Sequence, residues 1–196
     1  MDENLLKDMY VHKAMSMQEI AKQLGFSVHK INFWLTKYSI SKRTHSEASY
    51  VKYNGLVDPF EIKSFLSPQE ERLFGMGVGI YWGEGNKKNI NTVRVGNTDA
   101  KLIKVFIDFL IIICGVKPNK IRYGLQVFTD VEENVALHYW LNELNITRNQ
   151  IMPTISRINS GKIGTYKIKN QFGVMTVYVF NRKLRDWLVD QLFVPR

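Results

Sequence analysis

The chain has one cysteine, four histidines and five prolines in 196 residues. The lone thiol, Cys114, excludes an internal disulfide framework and fits a reducing compartment. One Cys and so few His, at none of the usual ligand spacings, exclude a Cys/His zinc site. Long apolar runs are also missing. Residues 73–83 are bounded by Arg72 and Glu84, far short of the ~18 residues a membrane span needs. The run 109–114 is interrupted upstream by Lys104 and Asp108 and reads as a buried helix. The acidic opening Met1-Asp2-Glu3-Asn4 lacks the basic-then-apolar order of a secretion signal. Together these absences predict a soluble, cytoplasmic chain with no membrane partner, nucleoid-associated if prokaryotic.

Acidic residues are the scarcer charge: 27 Lys+Arg face 18 Asp+Glu, a net of +9 and a pI near 9.6. Such an excess points to a polyanion, because clustered cations release condensed counterions from a phosphate backbone. A hydrophobic fraction of 45% excludes wholesale disorder.

Leu5, Leu6, Met9 and Tyr10 recur at helical spacing and predict a first helix up to about Lys13. Ile20, Ala21 and Leu24 make one apolar face of a second helix, which Gly25 ends as the left-handed residue after it. Ser27 is an N-cap, and Val28, Ile31, Trp34 and Leu35 form the expected buried face of a third helix. A small Ala at the crossing, a Gly in the turn and fixed aliphatic positions are the pattern of a helix-turn-helix. Residues 17–37 resemble the helix-turn-helix domains of small repressors and invertases. Docked as those domains dock, Ser27, His29, Asn32, Phe33 and Thr36 face bases, with Lys30 and Lys37 nearer phosphates. Lys42 and Arg43 come next in a basic stretch, read either as an arm to a neighbouring groove or as a solvated linker.

Residues 46–66 lose clear periodicity and carry the turn signals Asn54-Gly55 and Asp58-Pro59. The expected organisation is a domain at 1–45, a linker at 46–66 and a larger domain at 67–196. Charge is unevenly shared. Residues 1–58 hold 8 Lys+Arg and 6 Asp+Glu, leaving 19 and 12, a balance of +7, for the rest.

Ser67-Pro68-Gln69-Glu70 starts a helix that runs through Gly75, Gly79 and Gly83, which share one face. Each glycine costs ~1 kcal/mol of helix stability, and the available gain is close approach by another helix. Glu84 is placed at the end of that face, where the negative helix terminus makes a carboxylate unfavourable without a cation. Two such carboxylates with adjacent carbonyls suit Mg²⁺.

The string 77–85, Gly-Val-Gly-Ile-Tyr-Trp-Gly-Glu-Gly, resembles the LAGLIDADG helix of the homing-endonuclease superfamily. Gly79 and Gly85 are identities, Val78 and Ile80 keep apolar character, and Glu84 keeps the acid. Gly77 and Trp82 depart from the pattern. A strand at 92–99 ending in an Asn-Thr-Asp turn, then an amphipathic helix through Leu102, Ile103, Phe106 and Leu110, resembles the segment after the motif in that superfamily. Further expected elements are a strand at 120–128, a helix at 131–144, strands near 165–169 and 174–180, and a last helix from Arg182.

The resemblance implies an α/β (α+β) fold, a helix-turn-helix unit joined to a mixed α/β domain with a DNA-facing antiparallel sheet. It implies a homodimer through Gly75, Gly79 and Gly83, and Mg²⁺ held by Glu84 and the Gly83 carbonyl. Lys87 and Lys88 are candidates for electrostatic help at that catalytic centre. Alternation predicts one sheet face with Arg94, Lys120, Arg122, Gln126, Lys167 and Lys169, and the resemblance implies that this cationic face lies against duplex DNA. Arg157 and Lys162 either extend that face or decorate a loop. The implied activity is Mg²⁺-dependent hydrolysis of phosphodiesters in duplex DNA. The alternative is a non-catalytic regulator, since sporulation-control regulators also join a LAGLIDADG-like domain to a helix-turn-helix. A helper for RNA splicing uses the same basic saddle. A dinucleotide fingerprint is excluded because 75–79 lacks its third Gly, and a P-loop because its Lys/Ser is absent.

Overall fold

A computed structural model of the chain describes residues 1–159 and 171–192. It divides into two compact units, Met1–Asp58 and Pro59–Arg196.

In the first unit, α1 (Glu3–Lys7) continues as a wider π-helical turn over Asp8–His12, and α2 (Met17–Leu24) and α3 (Val28–Lys37) come after it. Ser16 caps α2 in a reciprocal box with Glu19, and Gly25 ends it at φ 67°, a conformation that costs glycine little. Ser27 accepts from the Lys30 N–H and starts α3. Leu6, Met9, Tyr10, Ile20, Ala21, Ile31 and Leu35 form the buried core, with Trp34 and Leu24 half-buried against it. Val28, expected in this core, is 40% exposed. As the first residue of α3 it has no preceding helical turn to pack beside, and the core is closed by Ile31 and Leu35.

The expected linker is structured. Thr44 and Glu47 form a reciprocal capping box that starts α4 (His45–Asn54), a helix with no buried residue. From Pro59 the chain belongs to the second unit: Glu61 and Lys63 donate backbone bonds to the carbonyls of Cys114 and Ile113, and Phe60, Ile62 and Leu66 pack on its core.

That unit opens with α5 (Pro68–Glu84), capped by Ser67 and Glu70. Next come β1 (Val93–Asn97), α6 (Ala100–Asp108) with a π-helical extension over Phe109–Ile113, β2 (Ile121–Phe128) and α7 (Glu133–Leu144). A short β3 (Ser156–Ile158), β4 (Val174–Val179) and α8 (Arg182–Asp190) complete the described chain. The fold is α+β.

The sheet order is β1-β4-β2-β3. β4 pairs antiparallel with both β1 and β2, but β3 runs parallel to β2. The sheet is therefore mixed, which corrects the expected antiparallel one. The polar stretch from Ser156, where no strand is expected, supplies the parallel edge. Val93, Val95, Ile121, Tyr123, Leu125, Val127, Met175, Val177 and Val179 are buried in one core with residues of α5, α6, α7 and α8, including Tyr81, Phe106, Trp140 and Leu188. Period-two alternation sends their neighbours to the opposite, open face. Among the described residues, no helix is long and apolar enough to cross a membrane.

Candidate nucleic-acid interface

Helix α3 presents the first candidate surface. His29, Lys30, Phe33, Thr36 and Lys37 are exposed on it, Ser27 is exposed at its cap, and Asn32 is half-buried. The ammonium of Lys42 donates to Asn32 Oδ1 at 3.0 Å and to Thr36 Oγ1 at 3.1 Å. Lys42 thus lies along the two polar positions expected to face bases. Lys30 lies over the Phe26 ring at 4.2 Å and Lys37 over Trp34 at 4.7 Å, which orders both cations while leaving them exposed.

Arg43 is different. Its guanidinium donates to the carbonyls of Ala14 (2.9 Å) and Met15 and stands 4.3 Å from the Tyr10 ring centroid. Its backbone N–H donates to the Tyr10 hydroxyl at 2.9 Å. These bonds tie the segment after α3 to the end of the first helix, so Arg43 is no free arm.

The second surface is the open face of the sheet. Register places Arg94, Tyr178 and Arg122 side by side across β1, β4 and β2, and Gly96, Thr176 and Gly124 in the row beside them. Gln126 shares this face, opposite Val174 on one side and Ser156 on the other. Arg122 donates to the carbonyls of Asn119 (2.7 Å) and Ile121 (3.0 Å), which holds it at the start of β2. Lys120 is half-buried at the end of a 3₁₀ turn (Pro118–Lys120) just before the strand. Arg157 does not join them. It is in register with buried Val127, and its guanidinium pairs with Glu133 on α7 at 3.0 Å, on the core side. Lys162, Lys167 and Lys169, and the strand expected at 165–169, lie outside the described residues.

The third feature is the end of α5. Among the described residues, a Cβ added at Gly75, Gly79 or Gly83 meets nothing within 4 Å, so none of them covers the stripe. Gly77 has the opposite role: an added Cβ would fall 2.1 Å from the Phe109 ring, so this departure from the motif is where α5 and the extension of α6 approach most closely. Exposed Glu84 closes the helix. One helical residue is a turn of roughly 100°. Glu84 therefore stands beside the glycine stripe, which corrects its expected placement on that face. Its carboxylate makes no hydrogen bond or ion pair with described residues.

The loop after α5 is built tightly. Asn86 donates its N–H to the Arg94 carbonyl at 2.9 Å, and its side-chain oxygen accepts from the N–H groups of Lys88 and Asn89 at 3.0 Å each. The Lys87 ammonium donates to the Trp82 carbonyl. It therefore neutralises the negative end of α5 and is not free to act elsewhere, unlike exposed Lys88. Arg185 on α8, which sequence reasoning missed, donates to the Lys87 carbonyl from one side and to Asp186 at 3.0 Å from the other. Burial raises the Tyr81 phenol above its ordinary pKa, a shift that Arg185 partly offsets.

Among the described residues, no three His, Cys, Asp or Glu side chains converge. One chain offers a hard carboxylate and helix-end carbonyls, a donor set that suits Mg²⁺ only when completed by substrate oxygens, water or a second copy. Tyr178 and Phe180 also stand on the open sheet face. The alternation of 174, 176, 178 and 180 in the last strand carried that signal in the sequence. No family model, curated protein or solved structure matches this chain.

Proposed function

We propose that this chain binds specific sites in duplex DNA and acts there as a homodimeric, Mg²⁺-dependent endonuclease of the LAGLIDADG type. The observation that carries the proposal is the pairing, among the described residues, of an uncovered glycine stripe with an exposed carboxylate that has no partner at the same helix end. Two copies meeting along Gly75, Gly79 and Gly83 would leave one Glu84 beside the seam on each helix end, and each copy supplies half a site. Glu84 and the Gly83 carbonyl would hold the ion, which supplies an activated water and stabilises the leaving oxygen. The exposed face of α3, with Asn32, Phe33, Thr36 and Lys42, contributes base and backbone contacts, while Arg94 and Arg122 hold phosphates.

The test is a Mg²⁺-dependent cleavage assay on a random duplex pool, with new ends sequenced and Glu84→Gln run in parallel. Defined ends made by the wild type alone are expected, with binding retained in the variant. Cleavage by Glu84→Gln at the wild-type rate would remove the assigned role of that carboxylate.

A second reading, a regulator that binds DNA without cutting it, is favoured by Lys87. Its ammonium already relieves the negative helix end that a bound cation would otherwise relieve. Sequence-selective binding with no cleavage by the wild type is the outcome expected of the regulator.

A further inference from the structure

The open sheet face carries an aromatic pair to which the proposed function gives no role. The rings of Tyr178 and Phe180 are stacked, with centroids 5.9 Å apart and planes 10° from parallel. Phe180 is 53% exposed, so its ring contributes little to the core. The Arg94 guanidinium stands 5.2 Å from the Tyr178 ring centroid. Arg122 is in register on the other side of Tyr178.

The row beside them is kept low. A Cβ at Gly124 would lie 2.9 Å from the Tyr178 ring, and one at Gly96 would lie 2.7 Å from Thr176 Oγ1. Gly124 therefore lets the Tyr178 ring reach over β2, and Gly96 makes room for the Thr176 hydroxyl. The result is an exposed π surface with the Arg94 guanidinium on one flank, on a unit whose balance is +7.

That combination fits a planar ring carried on an anionic backbone. Base faces inside an intact duplex are covered by their neighbours, so only an unpaired base can use such a platform. We infer that this sheet face binds single-stranded DNA, stacking an unpaired base on Phe180 and Tyr178 while Arg94 takes a flanking phosphate. The inference rests on the proposed DNA function and adds an unpaired strand to the duplex as a form of DNA that the second unit holds. An apolar protein partner fits poorly, because arginines, glycines and a glutamine surround the two rings.

The experiment titrates the full chain, at fixed salt, with labelled single-stranded DNA, the matching duplex and RNA of the same sequence. A 2-aminopurine in the single strand reports stacking through its fluorescence. Phe180→Ala is expected to weaken single-strand binding by about 5- to 100-fold and to abolish the 2-aminopurine quench, with duplex affinity unchanged. Phe180→Trp should preserve both, whereas Phe180→Leu, which keeps apolar bulk without the π face, should behave like Ala. Unchanged single-strand affinity in Phe180→Ala, wild-type stacking in Phe180→Leu, or a Phe180-dependent preference for RNA would each overturn the inference. A wild type that binds duplex but no single strand overturns it and leaves the proposed function standing; one that binds neither form removes both.

Discussion

At position 43 a guanidinium is committed to two backbone carbonyls, those of Ala14 and Met15, and to the face of Tyr10. Removing it leaves both carbonyls without this partner and strips a cation–π contact. Arg43→Ala should destabilise the first unit by about 2–3 kcal/mol, read as a lowered denaturant midpoint. Arg43→Lys should fall between, since one ammonium cannot span both carbonyls with the same fork. Its neighbour Lys42 is bonded to the exposed side of α3, and the difference between adjacent cations is set wholly by what each reaches. Cys114 obeys the same logic. Burial pushes its thiol far above the ordinary range, which makes it inert toward other groups in the folded chain.

Helix α5 carries its information on two faces. Gly77 meets the Phe109 ring and has no room for a methyl group, so Gly77→Ala should cost about 1–3 kcal/mol through overpacking. Gly79 faces open space, and Gly79→Ala should stabilise the isolated chain by up to about 1 kcal/mol through helix propensity. If the stripe is the dimer seam, the same methyl should weaken self-association, measured by sedimentation with and without DNA. Stabilisation with self-association unchanged would remove the stripe from the interface. The start of the helix has its own signature. Glu70 donates nothing when ionised; it accepts from Lys63 at 2.5 Å and from Ser67, which lowers its pKa to about 2. Its folded pKa lies below the unfolded value of 4.5, so its contribution is complete above about pH 4.5 and is lost as pH falls toward 2. Glu70→Gln should flatten stability against pH across that window, as tracked by acid titration of helicity.

At the scale of the whole molecule, two separate apolar clusters of described residues serve the two units. The first unit spans only 58 residues, a size at which a single core leaves little margin. Calorimetry should show two transitions, the smaller first, and Arg43→Ala should shift that one alone. A single transition, shifted as a whole by Arg43→Ala, would refute independent cores.

Much of this architecture was legible in the chain because helices α2, α3, α5 and α6 each begin at a recognisable cap or bury a periodic stripe, both local features. The faces of β1 and β2 came from strict alternation. Helix α4 escaped because none of its residues is buried, so no apolar stripe marks it, and only the Thr44–Glu47 box holds its start. Strand β3 escaped because three exposed residues leave no alternation to read; its parallel pairing with β2 joins segments about thirty residues apart. Local spacing was enough for the capped helices, the buried strand faces and the glycine periodicity of α5, since each depends on neighbours within a turn or two, and composition was enough for the basic excess. Long-range packing alone settled that Gly77 packs while Gly79 stays open, that Arg157 is bound to Glu133, and that Tyr178 lies between two arginines in register. Those outcomes depend on which distant group arrives within hydrogen-bonding or van der Waals reach, and residue spacing along the chain does not carry that distance.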